Sequence, residues 1–475
     1  MCSHRVSHCT NVLWFDLVAH HYTEAGLIEQ ALPYWLKAGE RASQHSAHAE
    51  AISHFTTALE LLTSLPDTPE HVQQELTLQM ALGVPLKATK GFGAPEVGAA
   101  YRRARELCQR VGETPQLFPI LWGLWAFYVV QAEFQTAQEL GEQCLRLAQK
   151  VQDPALLVEA HYALEATLTH LGETTLAREH FEQVIALYNP HQHRSLAFLY
   201  GGLDPEVLGR GYAAAWCLWF LGYPDQALAR SHEALALAQG LAHPFSLVWA
   251  MLLSAVVRQR RREGQLAQQR AEAAILLASE QGFAFELALG TSMQGRALAE
   301  QGQVEEGIAQ MRRGLEAYRA TGAKVGESYD LALLAEAYGK VGQEEEGLSL
   351  LAEALATVDR TGERVYEAEL YPLRGELTLA QSSDRRLGSS VPSTTTASTQ
   401  AEAEECFLKA TEISRKQQAK SLELRAVTSL ARLWQSQGKR NEAHQMLSEV
   451  YNWFTEGFDT KDLQEAKTLI EELSR

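Results

Sequence analysis

Apolar, small and polar positions follow one forty-residue pattern that is written twice between residues 283 and 362. Residues of the first copy recur at an offset of 40 in the second copy. They are Ala297, Gly302, Gln303, Glu305, Glu306, Gly307, Leu315, Thr321 and Gly322. Self-similarity at a fixed period of this length is typical of a solenoid, in which each unit packs on its neighbours.

Each copy predicts two amphipathic helices joined by a tight turn. Gly342 lies where the hairpin reverses, a place that favours a residue tolerant of positive φ. Gly347, Leu351 and Ala354 are spaced four and then three residues apart, so they share one face of the second helix. The small residues allow two helix backbones to approach closely. We expect a leucine at such a position to cost about 1–3 kcal/mol by overpacking.

The same register continues along the chain, where a small residue opens the buried face of each second helix. These residues are Ala31, Ala51, Val97, Ala137, Ala177, Ala227, Ala267, Gly307, Gly347, Ala403 and Ala443. The short step from Ala31 to Ala51 predicts one long helix at residues 28–44 that serves two hairpins. The sequence therefore predicts an all-α fold, an α-α superhelix of about ten helical hairpins.

Departures from the forty-residue step predict the domain organisation. Residues 1–16 are expected to be irregular, and residues 17–380 to form the repeat array. The Ser/Thr-rich tract at residues 381–401 has the composition of a solvated segment, so we expect a disordered loop within a hairpin. Residues 402–475 are expected to hold the last repeats and a polar capping helix.

Composition narrows the class of partner. The 475 residues carry 42 basic and 59 acidic side chains, and the net charge of −17 argues against a broad DNA-binding footprint. The six cysteines show no C-x-x-C spacing, as is usual in a reducing compartment. No apolar run reaches the roughly 18–20 residues of a membrane span, and the start lacks the plan of a signal peptide. We expect a cytoplasmic protein without a membrane partner.

Motifs for catalysis are missing. The sequence has no G-x4-G-K-[ST] phosphate-binding loop. Two groups of candidate metal ligands lack the spacing of a known zinc site; these are Cys2, His4, His8 and Cys9, and His191 and His193. Cys144 and Cys217 fall at or beside packing positions, which favours buried small side chains over nucleophiles. We therefore predict no catalytic residue, no cofactor, no metal and no enzyme activity.

The small–large–small pattern resembles the tetratricopeptide (TPR) repeat. Five segments resemble something more specific, the C-terminal TPR region of bacterial signalling proteins that carry a class III adenylate/guanylate cyclase domain, or another effector, and a STAND/AAA-type ATPase module. The segments are AHHYTEAG (19–26), PYWLKAGERA (33–42), GETPQLFPILWGLWAFY (112–128), LLAEAYGKVGQEEEGL (333–348) and WFTEGFDTKDLQEAKTLIEEL (453–473). The resemblance covers the chain from about residue 17 onwards. The cyclase and ATPase modules themselves are absent from this sequence.

The TPR resemblance implies a candidate binding surface, because first-helix residues line the concave groove of such arrays. The residues at the matching places are Trp122, Tyr212, Trp216, Trp219, Phe220, Arg260 and Arg296. Aromatic residues with arginine are typical of interaction hot spots. The alternative is that these side chains fill gaps between helices.

The resemblance implies a non-catalytic scaffold or sensor arm in signal transduction, which binds a protein, a peptide or a small effector in its groove. A second hypothesis is a fragment of a multidomain cyclase whose ATP-binding and catalytic parts lie elsewhere. A weaker third hypothesis is a regulator that touches nucleic acid through Arg258, Arg260, Arg261 and Arg262. The other interpretation of this run is a helix C-terminus, where cations are favourable, and nucleic acid is not the expected partner.

Overall fold

The computed structural model describes residues 3–45, 47–112, 114–189, 203–241, 243–388 and 393–475. Throughout these ranges the regular structure is helical, with 22 α-helices and no β-strand. The helices are α1 (Ser3–Glu24), α2 (Ile28–Gln44), α3 (His48–Leu62), α4 (Pro69–Lys90), α5 (Pro95–Val111), α6 (Leu117–Val130), α7 (Phe134–Val151), α8 (Pro154–His170), α9 (Thr174–Leu187), α10 (Pro205–Tyr212), α11 (Pro224–Leu241), α12 (Pro244–Arg260), α13 (Gly264–Gln281), α14 (Ala284–Glu300), α15 (Val304–Ala320), α16 (Glu327–Lys340), α17 (Glu344–Thr361), α18 (Glu367–Gly388), α19 (Ser393–Lys416), α20 (Lys420–Ser436), α21 (Arg440–Tyr451) and α22 (Lys461–Leu473). A π-helical segment, Ala213–Leu218, continues α10.

The chain is a TPR-like superhelix of helical hairpins, which confirms the predicted fold class. The long helix predicted at residues 28–44 is α2, with those bounds. Gly347, Leu351 and Ala354 are all buried on one face of α17. A Cβ added to Gly307, at the same place in the preceding repeat, would lie 2.6 Å from the carbonyl oxygen of Gly295, so α14 and α15 touch backbone to backbone.

The two helices of each hairpin have different surroundings. In α12, the first helix of its hairpin, 13 of the 17 residues are buried, whereas α13, the second helix, buries only Ala267, Ala271, Ala274 and Ala278. A helix that is apolar all round belongs in an interior, and a helix with one apolar stripe covers it. The first helices therefore surround the superhelix axis, and the second helices form the outer layer.

The superhelix completes one turn in five hairpins, and its second turn then stacks on its first. The backbone N–H groups of Lys324 and Val325, just before α16, donate to the carbonyl of Val130 at the end of α6, at 2.9 and 3.1 Å. Arg364 and Val365, before α18, donate in the same way to His170 at the end of α8, at 2.9 and 3.2 Å. We call the line of contacts between the two turns the seam.

Further contacts extend the seam in both directions. The N–H of Ser421 at the start of α20 donates to the carbonyl of Phe220 at 3.1 Å. Gly93 and Gly322 meet so closely that a Cβ on Gly322 would lie 2.5 Å from the oxygen of Gly93. Helix C-termini thus face helix N-termini across the seam, an arrangement that the helix dipoles stabilise.

Two of the expected domain boundaries are corrected. Residues 1–16 were expected to be irregular, but residues 3–16 are helical, since α1 begins at Ser3; they hold no proline or glycine that would stop the helix. The tract at residues 381–401 is not a loop throughout, because α18 extends to Gly388 and α19 begins at Ser393. Extending an existing helix costs far less than nucleating one, which explains both extensions. Residues 389–392 lie outside the described ranges.

The length and hydrophobicity of the helices in the described ranges can be compared with those of a membrane-spanning helix. None of them combines the length and the apolar character that crossing a lipid bilayer requires.

Candidate functional site

The residues predicted to line an open groove lie mostly inside the molecule. Trp219, Phe220 and Arg260 are at most 2% exposed, and they meet at the superhelix axis. The concave surface is therefore closed by first-helix side chains and by the stacking of the second turn. What remains of the expected groove is a pair of adjoining axial cavities.

Arg260 is at the centre of this arrangement. Its guanidinium carbon lies 4.4 Å from the ring centroid of Phe220, 5.1 Å from that of Trp219 and 5.4 Å from that of Tyr329. Trp216 forms a fourth side at 6.0 Å. Cation–π contacts stabilise a buried arginine, but a ring face does not replace a full set of hydrogen-bond acceptors.

The hydrogen-bonding capacity of Arg260 is unused. Its side chain is 1% exposed, and none of its three nitrogens has a hydrogen-bond partner. The nearest carboxylate oxygen is Oε2 of Glu369, 3.8 Å from Nη1, which is too far for a hydrogen bond. That Oε2 atom is itself buried without a partner, while Oε1 of Glu369 accepts from Nη1 of Arg425 at 2.9 Å. A buried donor and a buried acceptor thus face each other with both unsatisfied, which is costly unless something else bonds them.

The space beside this pair is a polar cavity of about 270 Å³ with walls from both turns. We call it the axial polar cavity. Its charged lining residues are Arg260, Arg262, Arg296, Arg425, Arg432, Glu336, Glu369, Glu376, Asp462 and Glu465. Five are basic and five acidic, so the lining is formally balanced.

Most of these charges are paired with each other. Arg296 contacts Glu336 at 2.6 Å, and Arg425 bonds Asp462 at 2.8 Å. Burial alone would raise the pKa of Glu336, but Arg296 and Lys340 lower it to about 2. Among the five arginines of the lining, Arg260 is the one whose nearest carboxylate oxygen is as far away as 3.8 Å. Nε and Nη1 of Arg296, although close to carboxylates, also lack a hydrogen bond of good geometry.

An apolar cavity of about 120 Å³ adjoins the polar one, and Gln259, Tyr329 and Leu333 line both. Its remaining walls are largely apolar, and six of the residues in them are aromatic. They are Tyr212, Trp216, Trp249, Phe285, Tyr318 and Tyr366. Nε1 of Trp216 donates to the Tyr366 hydroxyl at 2.8 Å, so the indole nitrogen is satisfied within the wall. Together the two cavities offer a charged compartment next to an aromatic one.

The predicted site residues lie in different surroundings: some line the polar cavity, some line the apolar cavity, and some line neither. Arg260 and Arg296 line the polar cavity, Tyr212 and Trp216 line the apolar one, and Trp219 and Phe220 hold Arg260 from behind. Trp122 belongs to neither cavity; it packs over the Lys87 ammonium at 5.1 Å, near the buried Glu159.

Sequence reasoning missed Tyr329, Glu369 and Arg425. Tyr329 and Glu369 lie near the starts of α16 and α18. A place in the first turn of a helix is a usual one for a carboxylate, so Glu369 carried no functional signal. Their closeness to Arg260 depends on the stacking of the turns, which no local pattern encodes.

The arginine run is used inside the protein. Arg261 is 2% exposed and contacts Asp225, Glu263 and Asp459 at 2.8–3.0 Å. Arg258 bonds Glu263 at 2.5 Å, and Arg262 bonds Glu465 at 2.6 Å. The run therefore ties α22 to the end of α12, and it presents no free basic surface of the kind that the nucleic-acid hypothesis requires.

The described residues hold no group of three or more His, Cys, Asp or Glu side chains that could bind a metal ion. Cys2, His191 and His193 lie outside the described residues, as do the side chains of His4, His8 and Cys9. Cys144 and Cys217 are buried, and burial raises the pKa of both thiols, which disfavours the nucleophilic thiolate.

Comparison with known proteins yields distant similarities. No family model matches the chain. An uncharacterized protein of Rhizobium meliloti (strain 1021) is 26% identical over 247 residues, which is 51% of this chain and 24% of the relative. The matched region thus spans about a quarter of that relative's length.

Solved structures align over most of the chain with low scores. A Rap protein complexed with Competence and Sporulation Factor aligns with a TM-score of 0.49 and 11% identity, over 74% of this chain and 99% of its own. Aspartyl phosphate phosphatase F from Bacillus subtilis gives 0.40 and 10%, over 82% and 94%. Human IFIT1, solved as a dimer with m7Gppp-AAAA, gives 0.45 and 13%, over 93% and 90%.

Proposed function

We propose that this chain is a non-catalytic sensor arm or scaffold of a cytoplasmic signalling protein, and that its effector binds in the axial polar cavity. The observation that carries the proposal is the buried Arg260–Glu369 pair, whose facing atoms lack hydrogen-bond partners within the protein and line a cavity of about 270 Å³. A ligand that satisfied both groups would remove an energetic penalty that the folded chain otherwise bears.

Occupancy of the cavity would be transmitted through the seam. Arg260 and Arg296 belong to α12 and α14, whereas Glu369 and Arg425 belong to α18 and α20 of the second turn. A ligand held by residues of both turns binds the stacked state better than a state in which the turns separate. Such differential affinity is what shifts a conformational equilibrium.

A second candidate is that the chain is part of a multidomain adenylate/guanylate cyclase with an ATPase module. The observation favouring it is that the Rhizobium relative matches over only 24% of its own length, which leaves room there for other domains. The two candidates agree on the role of this chain and differ in what it is attached to.

Both parts of the proposal are testable on the purified chain. With Mg²⁺-ATP, we expect hydrolysis no faster than in buffer; turnover that follows the protein through purification would contradict the non-catalytic role. A panel of amino acids, dipeptides, nucleotides and sugar phosphates is then screened by thermal unfolding. We expect at least one compound to raise Tm in the wild type and in Arg415→Gln, an exposed control, but not in Arg260→Gln. A shift that survives Arg260→Gln, or a panel without any shift, would count against this site.

A further inference from the structure

We infer that the axial polar cavity binds a free α-amino acid with an apolar side chain. The inference rests on the proposed function, because it names the ligand class for the same site. It follows from three features of the cavity: the facing unsatisfied groups, the balance of charge, and the aromatic compartment next door.

The first feature sets the hydrogen-bonding pattern of the ligand. Arg260 offers only donors, and Oε2 of Glu369 offers only an acceptor. Nη1 of Arg260 and Oε2 of Glu369 are 3.8 Å apart, so a ligand that satisfies both presents an acceptor to the first and a donor to the second. The carboxylate and ammonium of an α-amino acid sit on a single carbon, and they would reach Arg260 and Glu369 respectively. Charge-assisted hydrogen bonds of this kind are the stronger ones.

The second feature limits the charge of the ligand. The lining holds five basic and five acidic residues. A phosphate or a dicarboxylate would bring extra negative charge against Glu369, and a simple amine would leave the Arg260 donors unsatisfied. A zwitterion leaves the formal balance of the lining unchanged, so it adds no uncompensated charge beside the buried Arg260.

The third feature places the side chain of the ligand. Tyr329 and Leu333 line both cavities, so a group that leaves the Arg260–Glu369 pair past them enters the apolar compartment of about 120 Å³. The polar cavity, at about 270 Å³, is near the lower end of small-molecule pockets, which span roughly 300–1,000 Å³. A single amino acid with an aliphatic or aromatic side chain suits these volumes better than a longer peptide.

The site is also preorganised. Four aromatic rings hold the Arg260 guanidinium, and Arg425 fixes the other oxygen of Glu369 at 2.9 Å. Binding therefore orders few side chains, which reduces its entropic cost.

The test is calorimetric titration of the full chain with L-leucine and with L-phenylalanine. Two analogues of leucine remove one charged group each: 4-methylpentanoate lacks the ammonium, and 3-methylbutylamine lacks the carboxylate. We expect each analogue to bind at least about tenfold more weakly than leucine, the loss expected for a charge-assisted hydrogen bond. Equal binding of leucine and 4-methylpentanoate would overturn the assignment of Glu369.

Variants of the lining residues test which side chains contact the amino acid. Glu369→Gln, which is nearly isosteric, should weaken leucine binding about tenfold or more and reduce its advantage over 4-methylpentanoate. Leu333→Trp should obstruct the passage between the cavities and weaken phenylalanine in particular. Arg374→Gln is the control, since Arg374 is on the same helix as Glu369 but half-exposed and paired with Glu402. Circular dichroism checks that each variant is folded. If Arg260→Gln does not fold, the result for Glu369→Gln decides the test.

Failure of this inference differs from failure of the proposed function. If neither amino acid binds but another panel compound raises Tm through Arg260, the ligand class is wrong and the sensor site stands. If no compound acts through Arg260, both are wrong. If leucine binds equally to the wild type and to Glu369→Gln, the amino acid lies elsewhere and the inference fails.

Discussion

Several carboxyl groups are buried among first-helix side chains with few partners. Glu286 is fully buried and accepts a hydrogen bond from Nε1 of Trp249 at 2.9 Å, but its second oxygen has no partner. Burial raises its pKa to about 8, and burial likewise raises the pKa of Asp330 to about 7. Glu286 is therefore mostly protonated in the folded protein at neutral pH, because a lone buried carboxylate would be costly.

The contribution of Glu286 to stability should therefore fall as pH rises. Glu286 keeps its proton in the folded chain up to about pH 8, whereas the unfolded chain releases it near the ordinary value of 4.5. Its contribution is complete below the unfolded pKa and is lost as pH rises through the folded one, at up to about 1.4 kcal/mol per pH unit in between. We expect urea unfolding between about pH 5 and pH 8 to show a shallower decline for Glu286→Gln than for the wild type. Glu280→Gln, an exposed control, should leave the decline unchanged; equal slopes for all three proteins would refute the role of Glu286.

The candidate site was partly predictable from single residues. Trp219, Phe220 and Arg260 were placed together because aromatic residues and an arginine share first-helix positions, and the structure does bring them together. The sequence left open whether these side chains line a groove or fill gaps between helices. They are buried, and the residues that cover Arg260 come from hairpins three and four units later. Glu369 and Arg425 are more than 100 residues from Arg260 in the sequence, and neither shows an unusual local pattern.

At the scale of the element, the hairpins were the most predictable feature. Small residues such as Gly307 and Ala267 recur at helical spacing; both are buried, and Gly307 lies where two helix backbones touch. The boundaries were less predictable at α1 and α18, since composition alone does not show how far a helix, once begun, will extend. The seam was not predictable, because its contacts join residues far apart in the sequence. Side chains contribute to it as well as backbone groups: Nε2 of Gln131 donates to the carbonyl oxygen of Gly322 at 2.8 Å, and His170 contacts Glu363 at 2.9 Å. Nothing in the local sequence marks these residues as partners.

Two glycines at equivalent positions of successive repeats have different surroundings because only one of them lies in the seam. Gly322 and Gly362 occupy the same place in successive repeats and have positive φ, +79° and +74°. A Cβ on Gly322 would meet the carbonyl oxygen of Gly93 at 2.5 Å, whereas nothing lies within 4 Å of the same position on Gly362.

Alanine substitutions at Gly322 and Gly362 separate the cost of the left-handed backbone from the cost of the close contact with Gly93. Both Gly322→Ala and Gly362→Ala pay for left-handed backbone, about 1–2 kcal/mol. Gly322→Ala should cost about 1–3 kcal/mol more, because the first turn must move away from the second. Thermal or urea unfolding measures the difference. Equal costs would mean that Gly93 and Gly322 are not in contact in solution.

At the scale of the whole molecule, stacking of the two turns converts an open array into a closed one. It ties the arginine run to α22, and it puts residues of both turns around the axial polar cavity. The proposed function and the inferred ligand both depend on this closure. A superhelix with separated turns would have the same hairpins and no such site.

Hydrogen–deuterium exchange at the seam tests the closure most directly. The amides of Lys324, Val325, Arg364 and Val365 lie before the first turns of α16 and α18, where no intrahelical carbonyl is available to them. They are protected only if the carbonyls of Val130 and His170 are in place. The first-turn amides at residues 344–346 of α17, for which the structure gives no cross-turn partner, serve as the internal control. We predict that residues 324–325 and 364–365 exchange much more slowly than residues 344–346; equally fast exchange at all three places would show that the turns do not stack, and the account would fail.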